Sequence, residues 1–136
     1  MGRRRFRTRW LAAAVLLAGC AGGMDTRTAV RNAVDEFHDG FRWGAMGSML
    51  PHVRPTEHET FTTDYQASMD GVAIADYEVQ RLQIADDGDS AKVWVHFSWY
   101  REDEMIVHEA HVREEWLDTG GGWCRGEVVV ERGELP

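Results

Sequence analysis

At Gly71 the hydrophobic period of the chain changes, and that change limits the folds open to it. Before Gly71, apolar residues recur at steps of three and four, the spacing of one helix face. From Thr26 to Trp43 the stripe is Ala29, Val30, Ala33, Val34, Phe37 and Phe41, with Arg31, Asp35, Glu36 and Asp39 off it. This predicts an amphipathic first helix, with Asp25 placed to cap its N-terminus. Gly44 interrupts the pattern, Ala45 to Leu50 allow a short helical turn that Pro51 stops, and Pro55 suits the first turn of a further helix. In that helix Phe61, Tyr65 and Met69 lie four apart, and Asp70-Gly71 ends it. Beyond Gly71 the period is two. Val72 to Ile84 reads as a strand, and Asp86-Asp87-Gly88-Asp89 as a turn. Lys92 to Tyr100 is a strand rich in β-branched and aromatic residues. Met105 to Asp118 and Trp123 to Glu131 complete a meander, separated by the turn at Gly120-Gly121-Gly122. Helices followed by antiparallel strands predict an α+β domain, its helices packed on one face of a curved antiparallel sheet of about four strands.

A different kind of segment precedes the first helix. Arg3, Arg4, Arg5, Arg7 and Arg9 come before any acidic residue, and Trp10 to Ala18 is an apolar run. The run has the length of an export signal and falls short of the ~20 residues a spanning helix needs. It ends in Leu17-Ala18-Gly19-Cys20, which resembles the lipobox of bacterial lipoproteins. The resemblance implies cleavage after residue 19, lipid on Cys20, and export to the cell envelope with anchorage in the cell membrane or outer membrane, on the periplasmic side in a Gram-negative cell. Two or three acyl chains anchor stably where one does so marginally. Ala21 rather than an aspartate after the cysteine favours the outer membrane by the same resemblance. The organisation expected is a signal peptide at 1–19, a lipidated tether at 20–24, a domain at 25–131 and a tail at 132–136.

Removing the leader takes five arginines from the 15 Lys plus Arg, leaving ten against 23 Asp plus Glu, a net charge near −13. Such a charge repels nucleic acid and anionic headgroups, which makes phosphate binding a poor hypothesis for the domain. Of the two cysteines, Cys20 is committed to lipid, so Cys124 has no partner within the chain and reads as a buried, inert thiol.

The layout of residues 25 to 131 resembles the nuclear transport factor two-like superfamily, the cystatin-like cones that include SnoaL-like proteins. The residues that carry the likeness are Phe41-Arg42-Trp43-Gly44, the strand Ile74 to Val79, the hairpin Asp87 to Val93, and the pairs Glu115-Trp116 and Gly122-Trp123. The resemblance implies a cone with an apolar pocket between helices and sheet, used by its members for catalysis, ligand binding or subunit contacts. Fold alone selects none of these.

Polar residues on suitable strands are His96, His108, Glu109, His111 and Glu114. A four-residue turn at Arg101 to Glu104 would set His96 opposite Glu109, an imidazole beside a carboxylate that could act as a general base. The plainer reading is a solvated cross-strand pair on the outer face. His108 and His111 are three apart and therefore point to opposite faces of a strand, so no metal site is expected from them. His38, His52 and His58 show no ligand spacing and read as surface or helix-end residues. Trp43, Trp116 and Trp123 are expected in the core. Trp94 and Trp99 fall on opposite faces of one strand; with Tyr65 and Phe61 they are the candidates for a pocket or a contact surface. No nucleophile elbow, phosphate-cradling glycine loop, dinucleotide fingerprint or Cys-x-x-Cys is present, and no cofactor is expected. The function these features favour is a membrane-anchored domain that binds a small apolar ligand or a protein partner without catalysis. A pocket enzyme of isomerase, dehydratase or hydrolase type, with His96, His108 or Glu109 as its base, is the alternative. A structural role in an envelope complex is a third, and a homodimer through the sheet is compatible with each.

Overall fold

The computed structural model describes residues 24–136. The expected export signal and the expected lipidation at Cys20 lie outside the described residues. Helix α1 spans Thr26–Trp43 and α2 spans Met46–Met49; a 3-10 turn at Leu50–His52 follows, and a second at Pro55–Glu57 leads into α3, His58–Ser68. Four strands come next: β1 Val72–Ile84, β2 Ser90–Arg101, β3 Val107–Asp118 and β4 Trp123–Gly133. They form one sheet in the order β1-β2-β3-β4, every pair antiparallel. The domain is the expected α+β arrangement. No helix among the described residues is long and apolar enough to cross a membrane.

Asp25 occupies the N-cap position of α1 but its side chain makes no capping bond. Gly44 ends α1 in the left-handed conformation, φ 69°, which a residue with a Cβ adopts at a cost. The chain then turns tightly enough for Ala45 N–H to donate to the Gly40 carbonyl at 2.9 Å. The buried face of α1 is Val30, Ala33, Val34, Phe37 and His38, laid on the inner face of the sheet. Phe37 sits at its centre, with Trp116 at 5.9 Å in edge contact and Phe41 stacked at 6.3 Å.

On β2 the alternation is strict: Ala91, Val93, Val95, Phe97 and Trp99 face the helices, while Trp94, His96 and Ser98 face out. β3 alternates equally, with Ala110, Val112, Glu114 and Trp116 inward, while β1 and β4 reach the same result through irregularities. In β1 the pairing slips between Ile74 and Asp76 and again between Val79 and Arg81. These extra residues let Ile74, Tyr77, Val79 and Leu82 all pack on the core, and they curve the strand around α1. In β4 the pairing slips between the partners of Glu114 and Trp116. That bulge puts Arg125 on the same face as Val128, which plain alternation would forbid.

Trp116 and Trp123 are buried as expected, and Cys124 is a buried free thiol. Trp43 is not in the core: it is 73% exposed, with the Arg42 guanidinium 4.9 Å over its ring. Its place in the last turn of α1 turns it off the stripe that Phe37 and Phe41 define. The last strand continues to Gly133, and the segment after it folds back over the sheet. Trp99 Nε1 donates to the Glu134 carbonyl at 2.8 Å, and Leu135 packs on the core.

Candidate functional site

The interior of the cone holds a polar cluster that includes Glu114, one of the polar strand residues singled out in the sequence, but none of His96, His108 and Glu109. His38 on α1 and Glu114 on β3 are both fully buried, with His38 Nε2 3.0 Å from Glu114 Oε2. Glu114 Oε2 also accepts from Trp116 Nε1 at 3.0 Å, and Oε1 accepts from Arg125 Nε and from a terminal guanidinium nitrogen, each at 2.9 Å. The Arg125 guanidinium lies 4.9 Å over the Phe37 ring. Burial alone would raise the Glu114 pKa; Arg125, and then His38, outweigh it and hold the carboxyl at about 2. Glu114 is thus an anion held inside the core by matched donors.

Because Nε2 of His38 faces a carboxylate, that nitrogen carries the proton and donates. The other ring nitrogen, Nδ1, is buried without a hydrogen-bond partner. Phe97 and Phe37 meet the ring edge-on at 5.2 Å and Tyr77 lies at 5.4 Å. His38 borders a cavity of about 140 Å³ whose other walls are Phe41, Ser68, Phe97, Arg125, Leu135 and Pro136. A cavity of this size holds about one benzene-sized molecule. Phe41, Phe97 and Leu135 share the cavity wall with Ser68 and Arg125, and an imidazole with an unpartnered Nδ1, fixed by a buried carboxylate, can bind a donor group that reaches it or take a proton from it. Tyr77 stays a phenol: burial first, then its 2.8 Å bond to Asp39, raises its pKa well above the ordinary value.

A larger hollow of about 640 Å³ lies at the other edge of the helices, lined by Arg42, Trp43, Tyr65, Met69, Ile74 and Tyr100 among others. It is open to solvent. Arg42 there is held by Asp76 at 3.0 Å and by the Ala75 carbonyl. Arg42 Nε is buried without a partner there, but its guanidinium is already tied down by Asp76 and Ala75; the site chemistry lies with the smaller cavity, where the unpartnered atom belongs to an imidazole.

The sequence-derived candidates fall in three separate places. His96 and Glu109 are on the outer face of the sheet and are not directly opposite: His96 pairs with His111, and Ser98 with Glu109. The turn between β2 and β3 runs through Ile106, longer than four residues, and shifts the register. The shift keeps every side chain on its face, so Glu109 remains a diagonal neighbour, 3.8 Å from His96 Nε2. His108 faces the other way, stacked on Trp99 at 4.3 Å with Nδ1 3.1 Å from Glu134. His108 and His111 do lie on opposite faces. Trp94 is on the outer face under the Arg81 guanidinium at 4.7 Å, whereas Trp99 is core. Phe61 packs on Phe37 at 5.9 Å, and Tyr65 donates to the Phe41 carbonyl at 2.8 Å.

Two histidines expected at the surface are buried. His38 is one. His52 is the other, its Nδ1 2.9 Å from the Trp123 carbonyl and its Nε2 3.1 Å from Glu36, tying the turn after α2 to β4 and α1. His38 follows Val34 by four residues, so it belongs to the apolar stripe of α1 and its burial could have been read from that spacing. Glu114 likewise shares the parity of Ala110, Val112 and Trp116.

No family model and no curated protein matches the sequence. Solved structures do match its fold. A protein with a cystatin-like fold from Nostoc punctiforme superposes with a TM-score of 0.58 at 11% identity, covering 76% of this chain and 88% of that one. A ketosteroid isomerase-like protein from Erwinia carotovora atroseptica gives 0.58 at 13% identity, over 79% and 95%. An NTF2-like protein from Cytophaga hutchinsonii gives 0.57 at 13%, over 75% and 93%. At these identities the likeness concerns the fold alone: the domain has the cystatin-like, cone-shaped α+β fold of these structures.

Proposed function

We propose that the chain is a lipid-anchored envelope protein whose cone holds one small, mainly apolar molecule carrying a hydrogen-bond donor. The observation that carries the ligand reading is the unpartnered Nδ1 of His38 at the smaller cavity. A buried nitrogen without a partner costs about 1–3 kcal/mol, and a hydroxyl or amine on the ligand would recover it. The cavity of about 140 Å³ is below the ~300 Å³ at which drug-sized pockets begin, so the ligand is of phenol size. The lipobox at Leu17 to Cys20 supports the anchor.

One observation favours a second reading, a pocket enzyme with His38 as general base. Glu114 orients the imidazole as a carboxylate orients a catalytic histidine, and the cone of the ketosteroid isomerase-like protein has the same architecture. Simple binding is preferred because the cavity offers the bound molecule no separate acid.

Calorimetry of the full chain with phenol and with benzene tests the ligand reading. Saturable phenol binding, stronger than benzene and weakened about tenfold or more in His38→Leu with the fold retained, is the expected result; equal binding by His38→Leu refutes it. Fractionation of wild type against Cys20→Ala tests the anchor, and a soluble wild-type chain refutes that part.

A further inference from the structure

A row of four polar residues crosses the outer face of the sheet. Glu78 on β1 pairs with His96 on β2, His96 with His111 on β3, and His111 with Arg132 on β4. None of them reaches the cavity at His38. The two central imidazoles are stacked, with centroids 4.4 Å apart and 18° between planes. Glu109, on the same face two residues before His111, brings its carboxylate to 3.8 Å from His96 Nε2. That nitrogen is covered from solvent and has no hydrogen-bond partner. One donor atom from each of His96, Glu109 and His111 lies within 4.8 Å of the others.

We propose that His96, His111 and Glu109 form a binding site for a divalent transition cation, with zinc the best match. Two imidazoles and one carboxylate suit zinc and its neighbours, whereas magnesium and calcium favour all-oxygen sets. In a tetrahedral site with metal–donor bonds of 2.0–2.1 Å, donors sit roughly 3.3 Å apart. Closing the cluster therefore asks for a shift of about 1 Å by the exposed Glu109 side chain and for one of the stacked imidazoles to rotate about its side-chain bonds so that both lone pairs converge, while the paired strands stay fixed. Three protein ligands leave a fourth position for water or another ligand.

Arg132 makes this proposal specific. Its guanidinium lies 2.6 Å from His111 Nε2, so it donates to that nitrogen's lone pair. A neutral imidazole has one such lone pair. If the metal takes Nε2, Arg132 must leave; if it takes Nδ1, Nε2 becomes protonated and can no longer accept from Arg132. Either way the cation competes with Arg132, and removing the arginine should tighten metal binding.

The test is calorimetry of zinc chloride into the full-length chain in detergent, with the visible absorption of Co²⁺ as a second readout. Wild type should bind one equivalent with a dissociation constant of about 1 μM or below. His96→Gln and His111→Gln should each weaken binding about 100-fold, more than the loss of a supporting contact. Arg132→Gln should strengthen it about tenfold, and His108→Ala, on the other face, should leave it unchanged. Melting curves recorded without metal show that each variant is folded. Absence of binding at millimolar zinc, retention of binding in both histidine variants, loss in His108→Ala, or weaker binding by Arg132→Gln would each overturn the proposal.

Discussion

Replacing Glu114 by glutamine keeps the shape of the side chain and removes its charge, which isolates what the buried anion contributes. In the folded chain Glu114 is held at about 2 against an ordinary value of 4.5, a gap worth ~3 kcal/mol at neutral pH. Removing one partner of a buried pair costs about 3–5 kcal/mol by an independent route, because Arg125 is left without its counter-charge. Both routes agree on roughly 3 kcal/mol, a fall in melting temperature of about 12–20 °C for a domain of this size. The dependence on pH follows from the direction of the shift. Between about 4.5 and about 2 the unfolded carboxylate is protonated while the folded one is not, so the unfolded state binds more protons. The contribution of Glu114 is therefore complete above about 4.5 and is lost as the pH falls toward about 2. Melting curves of wild type and Glu114→Gln across that range should show a difference that closes on acidification. Adding Arg125→Met to the glutamine variant should recover much of the loss, since an apolar residue needs no counter-charge. A neutral-pH difference below about 1 kcal/mol, or one that does not narrow in acid, would refute the reasoning.

Other substitutions separate the core from its surroundings. Phe37→Ala, at the centre of the aromatic packing, should cost about 3–5 kcal/mol by chemical denaturation. Trp43→Ala should change stability by less than about 0.5 kcal/mol in the same assay, since the indole is exposed. Gly40→Ala should destabilise by about 1–3 kcal/mol despite a better helix propensity, because the new Cβ would come within 3.0 Å of the Ala45 carbonyl and 2.9 Å of Met49. Leu135→Ala should weaken phenol binding several-fold by calorimetry without abolishing it, since Leu135 supplies part of the apolar wall.

The fold was legible because each half of the domain keeps one hydrophobic period, and the strand beginning at Val72 and the first helix lie at their expected bounds. Trp43 was misplaced because it sits where α1 ends, and there the helical stripe no longer dictates burial. The pairing of His96 with His111 rather than Glu109 depended on a turn length that charged residues around Asp103 do not encode. In the interior, spacing placed His38 and Glu114 on buried faces, but nothing local links residues 76 apart into one hydrogen bond. Arg125 was hidden more deeply. Its inward direction comes from a bulge, and strict alternation relative to Val128 points it to solvent.

That bulge means the bend of the last strand is encoded by chain length, separately from the interior charge that residue identity sets. Gly126 follows Arg125 at the irregular stretch, where a Cβ would stand 3.3 Å from the Glu115 carbonyl. A one-residue deletion there would set Arg125 two residues before Val128, where plain alternation puts both on one face, so Arg125 would still meet Glu114 while the strand lost its local bend. In a family of such cones, then, alignment gaps at this point of the last strand would report differences in sheet curvature, while the charged interior would follow the residue types themselves.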